Sequence, residues 1–315
     1  MQTIVSASRR TDIAAFYSEW LINRVRAGYC EVPNPMNPKQ VSRVSLKPDD
    51  VAAIVFWTRN PKPLMRHLGE LDNRGLRYYF QYTVLNNPRE IDPKVPRVAD
   101  ALSTFKELAG RIGPSRVIWR YDPIFFTTAT PPTFHVDSYS SIADTLRGFT
   151  FRSVISLVDI YNKIKPRLEA LSRQGIWPVE CSEAELGRTM VEMANAAKRN
   201  NMEITSCAEQ IDLSRYGVKP GKCVDDALID KVFNIHVNHK KDPAQRKACG
   251  CVASRDIGMY DSCLFNCAYC YATSSIARAL VRFKSHQQTA PSLIPSNAEV
   301  GALAADSSRQ WRIGH

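Results

Sequence analysis

No apolar run in this 315-residue chain approaches the roughly 20 residues needed to span a bilayer. The first ten residues, Met-Gln-Thr-Ile-Val-Ser-Ala-Ser-Arg-Arg, lack the basic and then apolar order of a secretory signal. They read instead as a strand entering a polar loop. No internal repeat of fixed period is evident. There is also no long basic run and no nucleic-acid-binding signature; the densest cationic stretch, His236-Val-Asn-His-Lys-Lys, is short. Together these absences lead to the expectation of a cytoplasmic protein with no membrane partner.

What is present is ordinary in bulk. Hydrophobic residues make up 44% and charged residues 23%, as in soluble globular enzymes. The length suits one large α/β domain or two smaller ones. The net charge is +11, from 42 Lys and Arg against 31 Asp and Glu. That excess would favour an anionic partner, a nucleic acid or a phosphorylated metabolite, or it is simply a solvated basic surface.

Cysteine is unevenly placed. Five of the nine, Cys249, Cys251, Cys263, Cys267 and Cys270, fall within 22 residues. In a reducing compartment such clustering indicates metal ligands or redox groups rather than structural disulfides.

Short β-branched and aromatic runs predict strands at 3–8, 53–57, 78–83, 117–121, 154–158 and 203–207. Most are apolar without strict alternation, as in parallel strands buried on both faces. Helical patterns lie between them at 13–27, 61–73, 98–112, 138–148 and 182–200. The last opens with Ser182 and Glu185 in capping-box spacing. Further helices are expected around 225–232 and 274–283. This alternation predicts an α/β fold with a parallel (β/α) barrel, full or partial and TIM-like. Each strand ends in polar residues, and in such barrels the C-terminal strand ends form the active-site mouth. Trp57, Gln81, Arg120, Asp122 and Glu209 are expected to line it. Arg120, Asp122 and Glu209 are the candidate catalytic groups. Arg120 and Asp122 suit substrate positioning or proton transfer, or pair with each other.

The segment from Cys263 to Cys270 reads Cys-Leu-Phe-Asn-Cys-Ala-Tyr-Cys. Three thiolates at CxxxCxxC spacing can hold three irons of a [4Fe–4S] cluster and leave the fourth open. The Cys267–Cys270 pair also has the spacing of a zinc site, and chance clustering of structural cysteines is the bland alternative. Tyr269 would pack beside a cluster or an adenine ring. Cys207, Cys223, Cys249 and Cys251 form a second candidate set for an auxiliary cluster or a Cys₄ zinc site, unless they are unligated thiols. Cys30 and Cys181 read as buried thiols. His236 and His239 have ligand spacing but read as ordinary polar residues.

The octapeptide resembles the CxxxCxΦC signature (Φ aromatic) of the radical S-adenosylmethionine (SAM) enzymes. With Tyr271-Ala272 added, it is similar to the CxxxCxYCYA version of spore photoproduct lyase and its relatives. Over about residues 1–284 the chain resembles the bacterial family called domain of unknown function 1848, described as carrying a radical-SAM-like cysteine cluster at its C-terminal end. The matching stretches are Ser8-Arg-Arg-Thr-Asp-Ile13, Val55-Phe-Trp-Thr-Arg-Asn-Pro61, Trp119-Arg-Tyr-Asp-Pro123, Ser206-Cys-Ala-Glu209, Gly221-Lys-Cys223 and Cys249-Gly-Cys251 through Cys270.

The resemblance implies an enzyme that makes a 5′-deoxyadenosyl radical from SAM and acts on an unknown substrate. It also implies an electron donor of flavodoxin or ferredoxin type. Most of that superfamily carries the motif after its first strand, near the N-terminus, whereas here it begins at Cys263. A circular permutation accounts for this, with 256–260 as first strand, 261–273 as cluster loop, 274–283 as helix, and 3–8 in the place of the second strand. Ser8, Arg9, Arg10 and Asp12 would then lie near the methionyl end of SAM. Alternative readings are nucleic-acid repair or modification of the spore photoproduct lyase type, or a zinc-stabilised binding protein without catalysis. The expected organisation is a barrel core at 1–207, a cysteine-rich region at 208–284 completing it, and a loose extension at 285–315.

Overall fold

Alternation within each strand divides its side chains between two faces, and in this chain the faces differ in kind. A computed structural model describes residues 2–295 of the protein. Its strands are β1 (Thr3–Ala7), β2 (Tyr29–Pro33), β3 (Val41–Ser45), β4 (Val51–Thr58), β5 (Tyr78–Thr83), β6 (Val117–Ile124), β7 (Arg152–Leu157), β8 (Glu203–Cys207), β9 (Lys219–Gly221) and β10 (Arg255–Asp256). Its helices are α1 (Ile13–Phe16), α2 (Ser18–Ala27), α3 (Lys62–Met65), α4 (Leu68–Asn73), α5 (Val98–Ile112), α6 (Pro132–Thr145), α7 (Lys165–Ser172), α8 (Glu183–Arg199), α9 (Asp226–Phe233) and α10 (Ile276–Ser285).

Phe56, Tyr78, Phe80, Tyr82, Trp119 and Tyr121 share one sheet face and form a core with Phe105 of α5 and Tyr139 of α6. Tyr82 stacks on Phe105 at 5.2 Å, and Trp119 on Tyr139 at 4.7 Å. Ile4, Val55, Tyr79, Ile118 and Val154 point the other way. They pack against Cys223, Val224, Leu228, Ile229, Cys249, Cys251 and Val252. Both faces are thus buried, which is why these strands read as continuous apolar runs.

Eight strands form one sheet in the order β10-β1-β4-β5-β6-β7-β8-β9, every neighbouring pair parallel. This is the expected α/β class. A barrel would also need a ladder between β9 and β10; among the described residues those two strands are the sheet edges and are not paired. β10 lies beside β1, with Val5 opposite Arg255 and Ser6 opposite Asp256. The cysteine-rich region therefore supplies both edges, and its second edge strand docks on the N-terminal strand.

Two expected long helices are each broken, 13–27 at Tyr17 and 61–73 at Arg66–His67. The β2–β3 hairpin, α7 and β9 were not anticipated. Residues 286–295 are not loose. Trp20 Nε1 donates to Ala290 O at 2.9 Å, Arg24 to Thr289 O at 2.9 Å, and Leu293 is buried. The rest of the expected extension, 296–315, lies outside the described residues. No helix among the described residues is long and apolar enough to cross a membrane.

Candidate active site and its cysteines

Parallel strands point their C-terminal ends the same way, so the polar residues there gather at one rim. A cavity of about 400 Å³ opens at that rim. Its wall takes residues from Ser8 after β1, Trp57 and Thr58 of β4, Thr83 of β5, Arg120 and Asp122 of β6, Ser156 of β7 and Cys207 of β8. Cys263, Cys267 and Cys270 line it too, as do Cys223, Cys249 and Cys251. All seven clustered thiols therefore face one space.

The three-cysteine loop lies between β10 and α10 and is fixed from several sides. Ala268 N donates to Ile91 O at 2.9 Å. Arg167 of α7 reaches the carbonyls of Cys267, at 3.0 Å, and Cys270. Tyr269 Oη donates to Asp92 at 2.9 Å and also meets Arg59. Arg59 and the buried Asp92 pair at 3.0 Å. Tyr269 thus packs against the loop after β5, with its ring edge-on to Phe125.

Burial pushes the Cys263 thiol up to about 12, with Cys270 and the Asp12 carboxylate adding to the effect. Burial likewise drives Cys267 well up. Burial therefore keeps these thiols neutral unless a cation joins them. Arg9 Nη2 and Thr11 Oγ1, both on the cavity wall, are buried without hydrogen-bond partners. A ligand or water in the cavity would satisfy them. The donor set and the wall fit a thiolate-bound cofactor. Among the described residues, however, no three His, Cys, Asp or Glu side chains already converge as ligands of a single ion.

The other candidate residues divide clearly. Ser8 and Arg10 are engaged by Asp256, Ser8 Oγ donating to Oδ1 at 2.7 Å and Arg10 Nε at 3.2 Å. Asp12 caps α1 through Ala15 N at 2.9 Å and accepts from Arg59 N at 2.7 Å. Burial raises its carboxyl to about 7. Arg9 stacks over Trp57 at 5.0 Å. Arg120 pairs with Asp122 at 2.7 Å and donates to Cys223 Sγ at 2.7 Å. Ser156 donates to Asp122.

Gln81 and Glu209 were expected on the wall but stand behind it. Gln81 donates to Cys223 O at 3.0 Å, and Glu209 accepts from Leu157 N at 2.8 Å. Burial lifts the Glu209 carboxyl to about 7.

Among the second cysteine set, Cys207 Sγ and Cys223 Sγ are 3.1 Å apart. Cys251 Sγ accepts from Cys223 N and Val224 N at 3.2 and 3.3 Å. Hydrogen bonds from Cys223 and Cys249, aided by Arg9, hold Cys251 well below the ordinary thiol range. His236 and His239 instead pair with Asp230 and Asp226. As site residues Asp92, Arg167 and Asp256 escaped the sequence reading, because none belongs to a local motif and each has a partner 100 to 250 residues away in the chain.

The family model described as "Domain of unknown function (DUF1848)" matches residues 4–272. The chain belongs to this family. The matched span holds every cavity residue, from Ser8 to Ala272, and all seven clustered cysteines. No curated protein and no solved structure matches the chain.

Proposed function

We propose that this DUF1848 member is a radical SAM-type enzyme acting on a substrate held at the C-terminal rim of its parallel sheet. One observation carries the reading: the CxxxCxxC loop follows a strand, precedes a helix, and opens onto the cavity where the other strand ends meet. Strand β10, the loop, α10 and then β1 beside β10 follow the strand–loop–helix–strand order of a radical SAM barrel, circularly permuted. That barrel is the architecture we infer, with the edges at β9 and β10 as its seam.

Cys263, Cys267 and Cys270 would each hold one iron of a [4Fe–4S] cluster. Such ligands stand around a cube rather than converging on one point. When bound, cluster and SAM supply one electron and a sulfonium whose cleavage yields methionine and a 5′-deoxyadenosyl radical, which takes a hydrogen atom from the substrate. The electron would come from a donor of flavodoxin or ferredoxin type.

The protein's own part is positioning and water exclusion. Arg167, Ile91 and the Arg59–Asp92–Tyr269 group hold the loop. Thr11 and Arg9 offer free polar atoms to a ligand. Asp256 organises the turn after β1 by accepting from Ser8 Oγ and Arg9 N, at 2.7 and 2.8 Å. Arg120 and Asp122, locked together on the wall, suit orientation of a polar substrate.

The test is direct. Anaerobically reconstituted protein should be brown, absorb near ~400 nm, and release 5′-deoxyadenosine from SAM when reduced. Cys263→Ala, Cys267→Ala or Cys270→Ala should each abolish that release. A colourless zinc protein, or a triple variant that still makes 5′-deoxyadenosine, would overturn the proposal.

A further inference from the structure

The sheet has a seam. Among the described residues β9 and β10 each pair on one side only. The chain just after β9 nevertheless meets the chain just before β10, Val252 N donating to Val224 O at 3.1 Å. Four cysteines sit at this join. Cys207 ends β8, Cys223 follows β9, and Cys249 and Cys251 approach β10. Cys207 Sγ and Cys223 Sγ lie 3.1 Å apart, Cys251 Sγ accepts from the N–H groups of Cys223 and Val224, and Cys249 interacts electrostatically with Cys251. None is in a disulfide.

The surroundings are prepared for negative charge. Two backbone N–H groups point at Cys251 Sγ, and the Arg120 guanidinium lies 2.7 Å from Cys223 Sγ. Arg9 lies against Cys251. Four neutral thiols would need neither the guanidinium charges nor the directed N–H groups. Four thiolates on a metal keep a net negative charge that both would offset.

We infer that Cys207, Cys223, Cys249 and Cys251 bind a soft metal centre through four thiolates, and that this centre staples β9 to β10. Among the described residues no three ligand side chains already converge on one ion, so loading would turn these four about their Cα–Cβ bonds onto a shared centre. The site goes beyond the radical SAM reading and does not depend on it.

The experiment compares three full-length proteins: wild type, the Cys263→Ala/Cys267→Ala/Cys270→Ala variant, and the near-isosteric Cys249→Ser/Cys251→Ser variant. Each is stripped with chelator and loaded anaerobically with zinc alone or with iron and sulfide. Metal content, absorbance and melting temperature are then read. The triple alanine variant should keep roughly one zinc or one iron–sulfur chromophore per chain, and loading should raise its melting temperature by about 5 °C or more. Retained zinc without colour identifies a zinc site, and retained absorbance near ~400 nm an iron–sulfur cluster. The double serine variant should lose that metal and that shift. If the triple alanine variant binds neither metal, or the double serine variant binds as much, the inference fails. Failure of the three-cysteine site shows separately, as loss of iron from the double serine variant.

Discussion

Gly258 is a glycine because of its neighbour. A Cβ there would stand 2.6 Å from Ser8 Cβ and closer still to its hydroxyl, which is bonded to Asp256. Gly258→Ala should therefore destabilise the protein by about 2 kcal/mol, the usual cost of overpacking a closed site. Urea unfolding checks this; an unchanged midpoint would mean the β1–β10 join gives way easily.

His135 tests burial from the electrostatic side. Its Nδ1 lies 2.9 Å from Tyr121 Oη and its Nε2 3.2 Å from Phe125 O, so the network fits a neutral ring. Burial lowers its pKa to about 4, against an ordinary 6.5. The unfolded chain thus binds a proton more readily than the folded one. The contribution is fully present above pH 6.5 and is lost as pH falls through 4, roughly 3 kcal/mol in all. Denaturation of His135→Gln should show a shallower loss than wild type between those values. Parallel curves would assign the proton uptake elsewhere.

At the scale of elements, local signals worked where a helix or strand carries its own instructions. Ser182 caps α8 with the reciprocal Glu185 bond, Ser182 N donating to Oε2 at 3.1 Å, as the spacing required. Ser182→Ala should cost about 1 kcal/mol, read as a lower midpoint in urea with an unchanged slope. A change below the scatter of the measurement would show that packing alone holds this end. β5, β8 and α5 also match their sequence patterns residue for residue.

Elements that depend on distant partners were harder to read. α7 is eight residues long with a proline in its first turn, which locally resembles a turn. The β2–β3 hairpin is mostly polar or half-exposed on β3. Its β2 strand is supported by the 286–295 segment, Glu31 N donating to Pro291 O at 2.9 Å. Nothing within 29–45 announces that support.

For the whole molecule, the sheet order governs how stability should be distributed. β5 and β6 are paired on both sides and covered on both faces, whereas β9 and β10 have three and two residues and, among the described residues, one neighbour each. Amide exchange of the metal-free protein should be slowest in β5–β7 and fastest, among the sheet strands, in β9 and β10. Equal protection across all eight strands would mean that the seam opens only with the whole fold.

The sequence alone determined the α/β class, six of the eight sheet strands, and the identity of the seven clustered thiols. These depend on residue type and on spacing along the chain, which a linear reading preserves. The family resemblance had already set 256–260 beside 3–8; tertiary structure placed that strand at Arg255–Asp256, fixed its register on β1, and turned both cysteine sets toward one cavity. It also placed Gln81 and Glu209 behind the wall, and brought Asp92, Arg167 and Asp256 in to brace the cysteine loop and the β1 turn. Those facts depend on pairings across as many as 250 residues, set by burial and hydrogen-bond satisfaction of the whole chain, and no local pattern carries them.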